Sequence, residues 1–303
     1  MLPLLTSLFL PANAEDINHV ANPIVVLISD NLPEYEETQR AFNEVYPSSS
    51  VRVMQIDGNK PQALRHIKEL QEKPPPLVFA IGTKAAYITI QEMPNTPCIY
   101  AMVHDPIKYG IYGKNVTGIS SQVPAEVTLS QLQLFVPEAR KIAVFISDSA
   151  SLDLVNNATA AARQMGLDLQ LVRISSNLEL RKELSTLVKE IDAIWLLPDP
   201  EIVTPENFHT INAMAQRSKI PVVSNSELLA QAGTLFSVTP KGSVVGQQAA
   251  ELAYAILNDP NTSYGGAIYM PELPHIVLNE ETQRTIGLDI DPFAKGFVDK
   301  IVP

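Results

Sequence analysis

Short polar side chains recur in this chain where a buried strand signal ends and a helix signal begins. Such side chains can hydrogen-bond a small ligand, because ligands of parallel α/β sheets bind beyond the carboxyl ends of the strands. The set suits a small organic solute better than a polyanion, since its only nearby basic residue is Lys84. The predicted ligand-binding residues are Asn31, Tyr35, Gly82, Thr83, His104, Asp105, Ser147, Ser149, Ser151, Asp199, Ser224 and Ser226.

Several of these residues have a structural explanation that competes with ligand contact. Helix capping accounts for Thr83, Ser149 and Ser151 as well as ligand contact does. Asp105 precedes a proline and is typical of a residue that fixes a turn. We favour ligand contact for Asp105, and we expect Asp199 to be the second-lobe residue that pairs with a ligand ammonium group.

The sequence contains no motif of a known catalytic or metal site. It has no Gly-x-Gly-x-x-Gly, Walker loop, Gly-x-Ser-x-Gly or His-Glu-x-x-His. The single Cys98 lies in a strand signal and excludes a disulfide within one chain. We therefore predict no catalytic residue, no metal and no cofactor. The rival interpretation is a Ser/His/Asp enzyme site assembled in space, which a screen for ester and peptide turnover would detect. The histidines are scattered at His19, His66, His104, His209 and His275.

Composition describes a globular protein with an acidic surface. The 303 residues carry a net charge of −11, and 46% of them are apolar. An acidic chain disfavours nucleic acid as a partner, because phosphate binding needs a basic face. This length suits two domains of ordinary size, and we expect a monomer.

Residues 1–14 have the pattern of an export signal. Apolar residues from Met1 are too few to span a bilayer, and Ala12-Asn13-Ala14 has the small-x-small form of a cleavage site. No cysteine follows that could carry a lipid anchor. We therefore expect a periplasmic, soluble mature protein.

Strand and helix signals alternate along the whole chain and predict an α/β fold. Two Rossmann-like lobes with parallel sheets are expected, joined by a three-crossover hinge. We expect lobe 1 to contain residues 23–118 and 240–271, and lobe 2 to contain residues 119–239 and 272–303. The stretch Cys98–Gln122 is predicted to be the first crossing, with the others near residues 239 and 271.

Val103–Ile107 and Asn115–Ser120 resemble the hinge signature of ABC-transporter substrate-binding proteins of the tryptophan/tyrosine-binding type, which have a type I periplasmic-binding fold. The resemblance covers about residues 24–290. Further matching segments are Gln133-Leu134, Val136–Val144, Met165–Leu167, Ile191–Trp195, Ile220–Val222, the helix at Gly246, and Ile286–Leu288.

The resemblance implies capture of a small solute by lobe closure and its delivery to an ABC permease in the membrane. Aromatic amino acids are the best-known cargo of this family. The loops after the strands depart from the family pattern, for example at Asn31–Tyr35 and Ser147–Ser151. The scaffold is therefore better supported than the cargo, and an amino acid is one candidate. A ligand-sensing module for a membrane kinase or receptor is the alternative, because the same two-lobe fold serves both roles.

Overall fold

The computed structural model describes residues 22–47, 50–56, 59–259 and 264–303. The expected signal segment, residues 1–14, lies outside these ranges. In chain order the elements are β1 (Ile24–Ile28), α1 (Pro33–Val45), β2 (Val51–Gln55), α2 (Lys60–Glu72), β3 (Val78–Ile81), α3 (Thr83–Glu92), β4 (Cys98–Val103), β5 (Val116–Ser120), α4 (Ala125–Phe135), β6 (Lys141–Ile146), α5 (Leu152–Gln164), β7 (Asp168–Arg173), α6 (Asn177–Leu187), β8 (Ala193–Leu196), α7 (Pro205–Arg217), β9 (Val222–Ser224), α8 (Glu227–Gln231), β10 (Phe236–Pro240), α9 (Gly242–Asn258), β11 (Ile268–Tyr269), β12 (Pro274–Asn279), α10 (Glu280–Ile286), α11 (Pro292–Lys295) and β13 (Lys300–Val302).

The strands form two separate sheets. The first has the order β11-β5-β4-β3-β1-β2, and the second has the order β13-β12-β10-β9-β8-β6-β7. Each sheet is covered on both faces by helices, so its central strands are buried runs of apolar residues. The predicted two-lobe α/β fold is confirmed.

Alternating side chains of one strand supply both cores of the first lobe. Val25 and Leu27 of β1 pack with residues of α2 and α3, whereas Val26 of the same strand packs with Phe42 of α1 and Ala249 of α9. Successive side chains of a strand point to opposite faces, which is why a continuous apolar run is needed here.

One strand departs from the parallel pattern. β12 pairs antiparallel with β10, while the other pairings are parallel. The reversal follows from the path of the chain, because β10 leaves the second sheet towards α9 and β12 returns to it from β11. β11 and β13 extend the edges of the two sheets, and neither was predicted from the sequence.

Three segments connect the sheets, and the first lies later than predicted. β4 and β5 pair with each other in the first sheet, so only the last residues of the stretch Cys98–Gln122 belong to the crossing. The chain crosses at residues 121–124, again between β10 and α9, and a third time between β11 and β12. The expected lobe boundaries at residues 118 and 239 fall within two residues of the ends of β5 and β10.

The second and third crossings are tied together. The Lys241 N–H donates to the Leu273 carbonyl at 3.2 Å. The Lys241 ammonium lies 2.9 Å from the Asp299 carboxylate, which also accepts the Ile276 N–H at 2.9 Å. Two connecting strands held side by side can bend together, as a hinge requires. Among the described residues, no helix is long and apolar enough to cross a membrane.

Candidate functional site

The carboxyl ends of β1 and β3 bring Tyr35 and Gly82 together beside Ser29. The Ser29 hydroxyl accepts the Ala85 N–H at 2.9 Å. Gly82 has a φ of 89°, and a Cβ there would lie 2.6 Å from Ser29 Oγ and 2.8 Å from the Tyr35 ring. Only glycine suits both this backbone and this space. Burial, and then nearby carboxylates, raise the pKa of Tyr35 to about 12, so its hydroxyl stays protonated and can donate a hydrogen bond.

The remaining predicted residues of this edge are polar and accessible. Asn31 is exposed in the loop between β1 and α1, and Thr83 is the first residue of α3. Lys84 follows Thr83, but its ammonium lies 2.9 Å from the Asp30 carboxylate. The one basic residue near the predicted set is therefore paired within its own lobe.

In the second lobe, Ser147 and Asp199 form a buried pair at the ends of β6 and β8. The Asp199 carboxylate accepts the Ser147 N–H at 2.7 Å, the Ser147 hydroxyl at 3.0 Å and the Glu201 N–H at 3.1 Å. The Ser149 hydroxyl is 2.6 Å from the Glu201 carboxylate. Asp199 thus fixes two strand-end loops against each other, and Glu201 is the exposed carboxylate beside it.

Ser224 and Ser226 follow β9, and Ser224 is engaged internally. Its hydroxyl lies 3.1 Å from the Thr234 hydroxyl and donates to the Ser226 carbonyl at 3.2 Å. Ser224 is fully buried, whereas Ser226 is partly exposed and precedes α8. Of this pair, only Ser226 has surface that a ligand could contact.

His104 and Asp105 directly follow β4, at a point where the backbone is unusual. Met102 and Asp105 have φ angles of 57° and 49°, and the β4–β5 register shifts between Tyr100 and Val103. Bulges and left-handed non-glycine residues cost free energy and concentrate at binding sites. The Asp105 carboxylate accepts the Lys108 N–H at 3.3 Å, so it does fix a turn.

A hydrogen bond defines the tautomer of His104. The Ser121 hydroxyl donates its proton to the Val103 carbonyl at 2.7 Å, so the His104 Nδ1, 3.1 Å from Ser121 Oγ, must donate to that oxygen. Desolvation lowers the pKa of His104, although the residue keeps exposed surface that a ligand could contact.

A cavity of about 170 Å³ lies where the two lobes meet. First-lobe residues such as Tyr100 and Asp105 line it together with Ser151 and Asp153 of the second lobe. Small-molecule pockets usually enclose roughly 300–1,000 Å³, so this cavity is smaller than a typical ligand site. Among the described residues, no hydrogen bond or ion pair joins a strand-end loop of one lobe to one of the other.

Some helices that follow central strands begin without a cap from their own N-cap side chain, although α7, which follows β8, is capped by Thr204. The N-cap residues of α1, α3, α5 and α8 make no capping hydrogen bond through their side chains. By contrast, Asn59 caps α2 and Ser176 caps α6, and these two helices follow the edge strands β2 and β7. Backbone N–H groups at the start of α5 are therefore available to acceptor groups of a ligand, whereas the Ala85 N–H of α3 is already bonded to Ser29.

Helix capping was the alternative explanation for Thr83, Ser149 and Ser151. The structure shows that their side chains do not cap helices. Ser151 is the N-cap of α5 but makes no side-chain cap. Thr83 lies after the N-cap Gly82, and Ser149 bonds Ser147 and Glu201 and no helix N–H within the described part of the chain. Ligand contact remains the prediction for these residues.

Several residues that line the cavity were not among the predicted ligand-binding residues. Gln122, Asp153 and Asn157 line the cavity together with Tyr100. The two residues of α5 carried no signal that separates them from ordinary helix surface residues. Glu201 stands two residues after Asp199, and its position in a strand-end loop could have singled it out.

Comparison with known proteins decides the family. A family model described as ABC transporter substrate binding protein matches residues 45–271. This chain belongs to that family. The resemblance inferred from the hinge segments is therefore confirmed, and the chain is a solute-binding protein. No curated protein matches it in sequence.

Solved structures with the same fold include other substrate-binding proteins. The ligand-free, open structure of a substrate-binding protein with adhesive properties from Clostridium difficile is 20% identical, with a TM-score of 0.77 over 93% of this chain and 99% of that one. The ABC domain from Streptococcus pneumoniae in complex with L-Trp is 21% identical, with a TM-score of 0.62 over 92% and 100%. A conserved domain protein from Vibrio cholerae is 17% identical, with a TM-score of 0.63 over 92% and 99%. At these identities the likeness establishes the fold of this substrate-binding protein.

Proposed function

We propose that this substrate-binding protein captures a small solute in the cleft between its lobes, closes on it, and delivers it to an ABC permease from the extracytoplasmic side. The observation that carries the proposal is the cavity lined by residues of both lobes, beside the uncapped start of α5. We infer a binding role and no turnover, since family membership points to solute capture.

An amino acid is the cargo that best suits the cleft, with an aromatic one favoured. Uncapped N–H groups of α5 suit a carboxylate, and carboxylates such as Asp105 suit an ammonium group. The half-buried ring of Tyr35 offers a face for an aromatic side chain. The L-Trp bound to the structurally similar Streptococcus pneumoniae domain supports this class.

A thermal-shift screen of the purified protein against a metabolite library that includes all amino acids tests the proposal. A ligand that binds only the folded state raises the melting temperature, so we expect a rise with one chemical class. Uptake of the best-binding solute should fall when the gene is deleted. Chemical conversion of that solute by the protein alone would contradict the binding role.

A pair of glycine variants tests whether the first-lobe loop forms the site. Gly82→Ala places a Cβ against Ser29 and Tyr35, and should abolish binding of the solute found in the screen. Gly166 also has a positive φ, of 69°, but a Cβ there meets nothing within 4 Å. Gly166→Ala is therefore the control for backbone strain alone, and it should bind normally.

A further inference from the structure

Three strands of the first sheet align a tyrosine, a glycine and an isoleucine on one face. Tyr100 of β4 lies opposite Gly118 of β5, and Ile268 of β11 lies opposite the same glycine. Side chains that lie opposite each other on adjacent strands point to the same face of a sheet. Tyr100 and Ile268 both line the cavity between the lobes. This row of residues therefore forms part of the cavity wall.

Gly118 makes room for the ring of Tyr100. A Cβ at this position would overlap Cζ and the hydroxyl oxygen of Tyr100. Gly118 does not have a positive φ, so the space and not the backbone conformation requires glycine here. The tyrosine ring therefore reaches across β5, and its hydroxyl lies beside Gly118.

The hydroxyl of Tyr100 is a buried donor without a partner. The residue is only 2% exposed, and its hydroxyl makes no hydrogen bond within the described part of the chain. Burial, and then the nearby Cys98 thiol, raise the pKa of Tyr100 to about 12, so the hydroxyl keeps its proton at neutral pH. A buried polar group that lacks a partner costs free energy and needs an explanation. Here the group lies in the wall of a cavity.

The serine hydroxyls at the end of β5 cannot supply the same donor. Ser120 donates its proton to the Gln122 carbonyl at 3.2 Å, and Ser121 donates to the Val103 carbonyl at 2.7 Å. A hydroxyl has one proton to donate. Of these three hydroxyls, that of Tyr100 is therefore the one with a proton left for a solute.

We propose that Tyr100 is a specificity-determining residue of the cleft, and that its hydroxyl donates a hydrogen bond to an oxygen of the bound solute. This inference rests on the proposed capture of a solute between the lobes. A solute with an oxygen at this place satisfies the buried hydroxyl, whereas an analogue that puts an apolar group there leaves it unpaired. Tyr100 and Gly118 together therefore select for an oxygen-bearing solute.

Tyr100→Phe removes the hydroxyl but keeps the ring, so it tests the hydrogen bond while the packing stays the same. Because the hydroxyl has no protein partner to lose, the variant should not lower the free energy of unfolding measured in urea. Tyr46→Phe is the control. Tyr46 is also 2% exposed, stacks on Phe42 and Tyr254, and does not line the cavity.

The unmodified full chain and both variants are screened in parallel against the metabolite library, and affinities are measured by calorimetry. The first matched compounds are L-tryptophan, L-tryptophanamide and tryptamine, because the acid and the amide carry an oxygen that the amine lacks. For any other library compound that binds, the matched pair is that compound and its analogue without one oxygen. Tyr100→Phe should weaken binding of the oxygen-bearing compound by about 3- to 10-fold and binding of the analogue by less than about twofold. Tyr46→Phe should change each affinity by less than about twofold.

Two results would overturn this inference and leave solute capture intact. One is an affinity of Tyr100→Phe for every bound compound equal to that of the unmodified protein. The other is an equal loss for a compound and for its analogue without the oxygen, because the hydroxyl would then not act through that oxygen. If no library compound binds the unmodified protein, the proposed capture and this inference fail together.

Discussion

At the scale of single residues, the site depends on carboxylates with different tasks. Asp199 is 5% exposed and accepts three hydrogen bonds from its own lobe, whereas Asp105 and Asp153 face the cavity with most of their acceptor capacity unused. A carboxylate satisfied in this way fixes loops, and one left open is able to bind a donor. We therefore separate a positioning role for Asp199 from ligand contact at the cavity.

Replacing Asp199 tests that separation. Asp199→Ala leaves the buried Ser147 N–H and hydroxyl without an acceptor, and should lower the free energy of unfolding by about 2–4 kcal/mol. It should also weaken solute binding, because the loops after β6 and β8 lose their connection. Glu206→Ala is the control, since Glu206 pairs only with exposed Asn177 and Arg181 side chains. Urea unfolding and calorimetry measure both effects, and equal affinities of the two variants would remove Asp199 from the site.

At the scale of elements, α9 is anchored on α1 directly after the second crossing. Glu37 of α1 accepts the Ser243 N–H at 3.1 Å, which caps the start of α9. Gly242 and Gly246 face α1, and a Cβ at Gly246 would lie 2.2 Å from the Thr38 carbonyl oxygen. Glycines spaced by four residues lie on one helix face and allow this close approach. Motion at the second crossing is therefore passed to the body of the first lobe.

Gly246→Ala should force these two helices apart. Overpacking against backbone costs more than the gain in helix propensity, so we expect a loss of about 2 kcal/mol in the free energy of unfolding. Gln247→Ala lies on the exposed side of the same helix and should leave stability nearly unchanged. Denaturant unfolding measures the free energy of unfolding of both variants. Equal values would mean that α9 does not approach α1 closely at Gly246 in solution.

Asp299 makes the stability of the linked second and third crossings depend on pH. Burial alone would raise the pKa of Asp299, but the Ile276 N–H, the Lys241 ion pair and nearby His275 outweigh it and lower the pKa. A carboxyl group with a lowered pKa in the folded state stabilises the protein above its unfolded pKa, about 3.9, and loses this effect as the pH falls through the folded pKa.

Asp299→Asn should therefore destabilise the protein at pH 7, and the difference from the unmodified protein should shrink as the pH falls below about 4. Urea unfolding between pH 7 and pH 3 measures this difference. Asp289→Asn is the control, because Asp289 is exposed and has no hydrogen bond or ion pair in the described part of the chain. If the difference in free energy of unfolding between Asp299→Asn and the unmodified protein did not change with pH, the lowered pKa of Asp299 would be contradicted.

At the scale of the whole molecule, the sequence specified the alternation of strands and helices better than the paths between them. Continuous apolar runs such as Ile24–Ile28 are unambiguous because both faces of each sheet are buried. The polar loop after Val103 looked like a crossing, but the chain returns beside β4 as β5. The two-residue strand β11 has no local pattern, since only its pairing with β5 defines it.

Sequence reasoning placed the candidate residues at strand ends, but it did not predict the partners of each side chain. Parallel strands and helix starts determine where ligands bind, so the predicted residues lie at strand ends. Whether Ser224 or Asp199 faces a ligand or its own lobe depends on partners that are distant in sequence, such as Thr234 and Ser147. The cavity residues Asp153 and Asn157 belong to the site only because the second lobe turns α5 towards the first.

Hinge closure is the prediction for the molecule as a whole. The strand-end loops of the two lobes share no hydrogen bond or ion pair in the described ranges, and the cavity of about 170 Å³ is smaller than a typical ligand site. A solute that contacts both lobes therefore has more contacts to gain in a closed arrangement, and the population shifts towards it.

The radius of gyration measured by small-angle X-ray scattering should decrease when the solute found in the screen is added. Gly82→Ala, which should not bind, supplies the control under the same conditions. An unchanged radius of gyration at saturating solute would mean that the ligand binds without closure, and that the three crossings do not act as a hinge.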